Sequence, residues 1–166
     1  DLDHPNIVPI YDLGIDGQGQ FFYSMKCVRG TAWNDAIKTK TLAENLDILM
    51  RLSDAIAYSH VKGVVHRDLK PSNVMLGEFG EVLLMDWGIA VSYLPTGKAP
   101  PVTARNAKYV TPVYMAPEMS AGDPVRLGPH SDIYLLGAIL YEILTGRPPH
   151  TGKNREDCLE QVRNNV

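Results

Sequence analysis

His66-Arg67-Asp68-Leu69-Lys70-Pro71-Ser72-Asn73 is the stretch on which the reading of this chain turns. Val64-Val65 leads into it and Val74-Met75-Leu76 leads out. A polar octet between two short β-prone runs predicts a loop held by strands on both sides, a common setting for catalytic groups. Its side chains suit chemistry on phosphate. Asp68 can accept a hydroxyl proton, Lys70 can neutralise phosphate charge, and Asn73 offers a carbonyl oxygen to a hard cation.

The remaining composition sets broad limits. With 166 residues, 45% hydrophobic and 21% charged, the chain can bury one ordinary core and is unlike a disordered segment. A net charge of −3 provides no basic field for nucleic acid. Cys27 and Cys158 lie far apart without neighbouring ligand residues, so neither a disulfide framework nor a zinc site is expected, and a reducing compartment is. The longest apolar stretch, Ile133 to Leu144, is too short to span a bilayer. The chain opens Asp1-Leu2-Asp3-His4-Pro5 without Met and closes at Asn165-Val166 within a helical pattern; a piece of a larger protein is the expectation.

Outward from the octet, the elements alternate. Asn6–Leu13 and Phe21–Val28 flank Gly14-Ile15-Asp16-Gly17-Gln18-Gly19 and predict a β-hairpin. Leu42, Leu46, Leu49 and Ile56 recur at helical spacing after Thr41, whose pairing with Glu44 predicts a capping box, and Gly63 ends that helix. Gly77-Glu78-Phe79-Gly80 turns into a strand over Glu81–Met85. Residues 92–112 read as a mobile loop. Ser131 is expected to cap a helix apolar nearly all round, hence buried, that stops at Gly146 before Pro148-Pro149.

The octet resembles the catalytic loop of protein kinases. Asp86-Trp87-Gly88, 18 residues after Asp68, is similar to the family's DFG element with Trp for Phe. The resemblance implies that Asp86 binds the nucleotide's metal, that Trp87 packs beneath the loop near His66, and that Gly88 lets the chain swing away. Thr111-Pro112-Val113-Tyr114-Met115-Ala116-Pro117-Glu118 resembles the peptide-positioning loop and APE element, with Val110 where a Gly is usual. It implies hydrogen bonds from Thr111 to Asp68 and Lys70, and a Glu118 whose usual Arg partner is not in this sequence. Lys70 two residues after Asp68 matches the serine/threonine pattern. Arg67 is similar to that of kinases whose activation segment is ordered by phosphorylation, with Thr103 as candidate phosphosite and Thr96 and Ser92 behind it. Asp132 resembles the Asp of DxWxxG, which accepts backbone hydrogen bonds from the catalytic loop; a plain first-turn acid is the other reading. Phe22 to Gly30 looks like the last N-lobe strand and hinge. In it Met25 would be the gatekeeper, the backbones of Lys26 and Val28 would meet adenine, Met75 would form the floor, and Cys27 would be a small buried residue.

The resemblance implies an α+β, protein-kinase-like fold in part, with residues 1–28 as an N-lobe remnant and 29–166 as the C-lobe. It implies a serine/threonine protein kinase using ATP with Mg2+, or Mn2+ in its place. The implied partners are Ser/Thr-bearing protein substrates and either a trans-phosphorylating kinase or a second copy, with no nucleic acid, and the implied location is the cytoplasm. No GxGxxG, strand Lys or helix Glu precedes His4, so residues 1–166 alone are expected to be nearly inactive. Two alternatives stand beside this: a non-catalytic nucleotide-binding or scaffold module, and a small-molecule phosphotransferase.

Overall fold

A computed structural model describes residues 2–94, 111–120 and 127–164. The chain opens on β1 (Ile10–Ile15) and β2 (Phe21–Met25), antiparallel with Ile15 opposite Phe21. Asp16 builds the turn between them: its Oδ1 accepts from the amides of Gln18 and Gln20, both at 2.8 Å, and Gly19 takes the left-handed φ of 79°. The hairpin is where expected, but its strands are shifted. Residues 6–8 join another sheet instead, with Val8 donating to Leu84 O and Leu84 to Asn6 O. Residues 26–28 leave the ladder after Met25.

A three-stranded antiparallel sheet follows, β3 (Gly30–Ala32), β5 (Val74–Gly77) and β6 (Val82–Leu84), in the order β3-β5-β6. A third small sheet pairs β4 (Val64–Val65) with β7 (Val91–Ser92). Thus each flank of the octet belongs to a different sheet, and the loop bridges two layers. At Gly30, where φ is 155°, a β-carbon would stand 2.0 Å from Leu76 O, so only glycine admits this close pairing of β3 on β5.

The helices are α1 (Trp33–Ala36), α2 (Leu42–Val61), α3 (Pro117–Ser120), α4 (Pro129–Thr145) and α5 (Arg155–Asn164). The capping box at α2 forms as its spacing predicts: Glu44 N donates to Thr41 Oγ1 at 3.3 Å and Thr41 N to Glu44 Oε2 at 2.8 Å. The buried stripe of α2, however, is Ile48, Leu49, Leu52 and Ile56; Leu42 and Leu46 face outward. The α4 reading also needs correction. The helix begins at Pro129, because proline's fixed φ suits the first turn, so Ser131 is its third residue and not its cap. Nor is it buried all round: Leu135, Leu136 and Ile139 enter the core, while Ile133 and Leu144 are exposed. Gly146, in the left-handed region, ends it as expected.

Trp33, Leu52, Ile56, Leu69, Leu84, Met119, Leu135 and Ile139 form one apolar cluster where α1, α2 and α4 meet the sheet. No described helix is long and apolar enough to cross a membrane. Gly30→Ala should lower denaturant stability by several kcal/mol through loss of the β3–β5 seam. Gly137→Ala, mid-helix and with open space at its β-carbon, should raise it by about 0.5–1 kcal/mol. Equilibrium urea unfolding of the two variants reads both signs.

Candidate active site

The octet begins as β4 ends, with Val65 buried and its partner Val91 fixing where the loop starts. Its first two residues are seized by α4. The buried Asp132 carboxylate accepts the His66 amide on Oδ2 and the Arg67 amide on Oδ1, both at 2.8 Å. The two readings of Asp132 coexist: it is an acid in the first turn of α4, and its carboxylate anchors the loop. His60 Nε2 also reaches Oδ2 at 2.8 Å, from the last turn of α2. Sequence reasoning missed His60; its place at a helix C-terminus, where a cation is favoured, was the available signal.

His66 is fully buried and its tautomer follows from its neighbours. The Asp68 amide donates to Nδ1 at 3.2 Å, so Nε2 carries the hydrogen and donates to Met85 O at 3.1 Å. Burial pushes the His66 pKa down, against the pull of Asp132, and keeps the ring neutral. Trp87 packs edge-on against it, with centroids 4.6 Å apart at 65°, as the resemblance implied. The Trp87 indole N–H is buried without an acceptor among the described residues, an arrangement that costs about 1–3 kcal/mol.

Asp68 is the convergence point. Its Oδ2 accepts Lys70 Nζ at 2.7 Å and Asn73 Nδ2 at 3.1 Å, and its Oδ1 accepts Thr111 Oγ1 at 2.9 Å. Lys70 Nζ also donates to Thr111 Oγ1 at 2.8 Å, closing a ring across 41 residues of sequence. Burial alone would raise the Asp68 pKa, but the Lys70, Thr111 and Asn73 hydrogen bonds outweigh it and hold the carboxyl below its ordinary range. Oδ1 keeps a lone pair free for a hydroxyl proton.

Asn73 spends its amide nitrogen on Asp68, to the backbone O at 2.8 Å as well, and keeps Oδ1 without a partner among the described residues. Met85 N donates to Asn73 O at 2.8 Å, extending the β5–β6 ladder by one pair and setting exposed Asp86 just past it. Asp86 stands at a φ of 55° and Arg67 at 74°, conformations that cost non-glycine residues about 1–3 kcal/mol each. Among the described residues no group of three or more His, Cys, Asp or Glu could cage a metal. One carboxylate and one amide oxygen do fit a hard cation that arrives on phosphate and keeps several waters.

A model of the protein kinase domain matches residues 1–166. The chain belongs to the protein kinase family. Relatives include serine/threonine-protein kinase PknD of Protochlamydia amoebophila, 34% identical over 99% of this chain and 19% of the relative. PknB of Mycobacterium tuberculosis is 38% identical over 91% of this chain and 24% of the relative. A probable serine/threonine-protein kinase PknB of Bifidobacterium longum is 36% identical over 91% and 23%. The chain spans about a fifth to a quarter of the length of these relatives. Use of ATP and a divalent metal is general to the family.

Within the kinase domain the other expected positions divide. Glu118 finds a partner in Ser131, whose hydroxyl donates to Oε1 at 2.7 Å, with His130 Nε2 at 3.6 Å. Gly88 donates its amide to Asp86 Oδ1 at 3.3 Å. Met75 is half-buried in β5 between Ala32 and Leu83. Met25 ends β2, and Lys26 and Val28 sit on the segment joining β2 to β3, without a hydrogen bond to the Asp68 group among the described residues. Met25 is 39% exposed, and Cys27 is exposed where a buried residue was expected, because this segment has left the ladder. Thr103 and Thr96 lie outside the described residues, as does Val110. Ser92 is not in a loop but buried in β7, its Oγ donating to Leu94 O at 2.9 Å, which removes it as an accessible phosphosite.

Because the His66 pKa is lowered in the folded state, the unfolded chain binds a proton first as pH falls below the ordinary value of 6.5. Stability should therefore decline below about pH 6.5, by at most about 1.4 kcal/mol per pH unit from this group. Urea unfolding across pH 5–7.5, with His66→Asn flattening that limb, measures it.

Proposed function

We propose that this kinase domain serves a serine/threonine protein kinase that transfers the γ-phosphate of ATP to Ser or Thr hydroxyls of proteins. The observation that carries the reading is the Asp68–Lys70–Thr111 ring, which joins a proton acceptor, a cation and the peptide-positioning segment in one hydrogen-bonded unit. Asp68 orients the acceptor hydroxyl and takes its proton. Lys70 offsets charge on the transferring phosphoryl, and Thr111 holds both in register.

Asn73 Oδ1 and the Asp86 carboxylate would hold Mg2+ on the nucleotide; the ion supplies charge neutralisation at the phosphates. The Lys26 carbonyl and the Val28 amide would meet the adenine edge. The Lys26 amide is already spent on Pro9 O at 2.9 Å, while Val28 N–H has no partner among the described residues. Met75 would form the floor and Met25 the back wall. On this reading residues 1–28 belong to the smaller lobe and 29–166 to the larger. Arg67 and Thr103 would answer an activating phosphorylation. Relatives named serine/threonine-protein kinases support the substrate class. The Thr111 contact favours a protein over a small-molecule acceptor, because it ties the base to the segment that positions peptide.

Asp68→Asn should reduce phosphoryl transfer by on the order of 100- to 10,000-fold while leaving Mg-ATP affinity within a few-fold. Asp86→Asn should instead remove metal-dependent nucleotide binding. Radiolabel transfer to a Ser/Thr peptide and calorimetric titration of Mg-ATP, made on the full-length protein, separate the two. Equal transfer by wild type and Asp68→Asn would sink the assignment.

A further inference from the structure

The hairpin bearing the nucleotide-facing backbone is joined to the body of the molecule at few points. β1 and β2 form a sheet of their own, whereas β3, just beyond residues 26–29, belongs to the sheet of β5 and β6. β1 and β2 pack chiefly on each other. At the hairpin's base Lys26 N donates to Pro9 O, and the residues just before it are stitched to β6 by Val8 N to Leu84 O, Leu84 N to Asn6 O and the Asn6 side-chain amide to Val82 O.

Among the described residues, one side-chain hydrogen bond runs from residues 9–29 to the body. Lys26 Nζ donates to Glu81 Oε1 at 2.9 Å, with both side chains 37% exposed. Glu81 is well placed to receive it. Its backbone O accepts the Gly77 amide at 2.8 Å, closing the β5–β6 turn. Its carboxylate lies over Gly77, where a β-carbon would stand 2.1 Å from Oε2, so the absence of a side chain at 77 makes the room. The same turn is tied to α2 by Arg51 NH1, which donates to Gly80 O at 3.1 Å. The Lys26 ammonium holds the Glu81 carboxyl below its ordinary range. A continuous path therefore runs from α2 through the β5–β6 turn to the hinge.

We propose that Lys26 and Glu81 form an electrostatic latch across the hinge, which sets the hairpin against the β5–β6 layer and so positions the Lys26 carbonyl and Val28 amide for the nucleotide. The inference rests on the phosphoryl-transfer reading of the site. Both side chains are positioning groups, since neither reaches the Asp68 cluster. An ion pair this exposed is screened by salt, so its contribution to nucleotide affinity falls as ionic strength rises.

The test uses the full-length protein, with Mg-ATP titration calorimetry and backbone amide exchange over residues 24–32. The variants are Glu81→Gln, Lys26→Gln, and the reversed pair Lys26→Glu with Glu81→Lys. Each single variant should weaken Mg-ATP binding at low salt on the order of two- to five-fold and speed exchange at the Lys26 amide. The reversed pair should recover both, and high salt should erase the difference. Single variants that bind and exchange like wild type overturn the latch, as does a reversed pair no better than the singles. If wild type binds no Mg-ATP, the kinase reading fails, and the exchange comparison by itself decides the latch.

Discussion

The arrangement depends on one buried carboxylate. Asp132 sits at zero exposure near the start of α4 and is satisfied by two consecutive backbone amides of the catalytic loop and by the His60 ring. An ion in the interior persists only when its lone pairs are filled, and the donors that fill these come from elements 65 to 72 residues away in sequence. The charge therefore acts as a fastener. It holds α2, β4 and α4 at one point and forces Arg67 into a left-handed backbone that the residue would not choose alone.

From that fixed point the reactive groups follow in order. Asp132 holds the His66 backbone, His66 receives the Asp68 amide on one ring nitrogen and grips Met85 with the other, and Asp68 gathers Lys70, Asn73 and Thr111. Each link is a hydrogen bond between groups that are buried or half-buried, so each is costly to leave unmade. The two strained φ values, at Arg67 and Asp86, and the Trp87 indole, without an acceptor among the described residues, lie along this path. The core formed by Leu52, Ile56, Leu69, Leu84 and Ile139 offsets these local costs.

The periphery contrasts with this. The β1–β2 hairpin presents Tyr11, Leu13, Ile15 and Phe22 outward and is tied to the body through residues 6–8 at its base and, among the described residues, one ion pair. The strongest restraints thus surround the groups that would handle the phosphoryl, and the weakest surround the segment that would read the base.

Much was legible in the residues themselves. The polar octet between apolar pairs, the Thr41–Glu44 capping box and the Gly146 stop are local patterns whose physics is complete within a few residues, and each forms as read. The hydrogen bonds of Thr111 to Asp68 and Lys70 were legible through resemblance, and both form. Tertiary structure decided what no local pattern can encode. Leu42 and Ile133 look like core residues, yet which face of a helix is covered depends on what packs there, and both are exposed. The helix C-terminus is a local hint at His60, but the partner that gives it a role lies 72 residues away. Ser92 read as loop polarity until Val64 paired with it. The sequence by itself determined which groups could do phosphoryl chemistry and where the chain must turn. Only the folded chain decided which of them meet, because burial and partnership are set by residues distant in sequence.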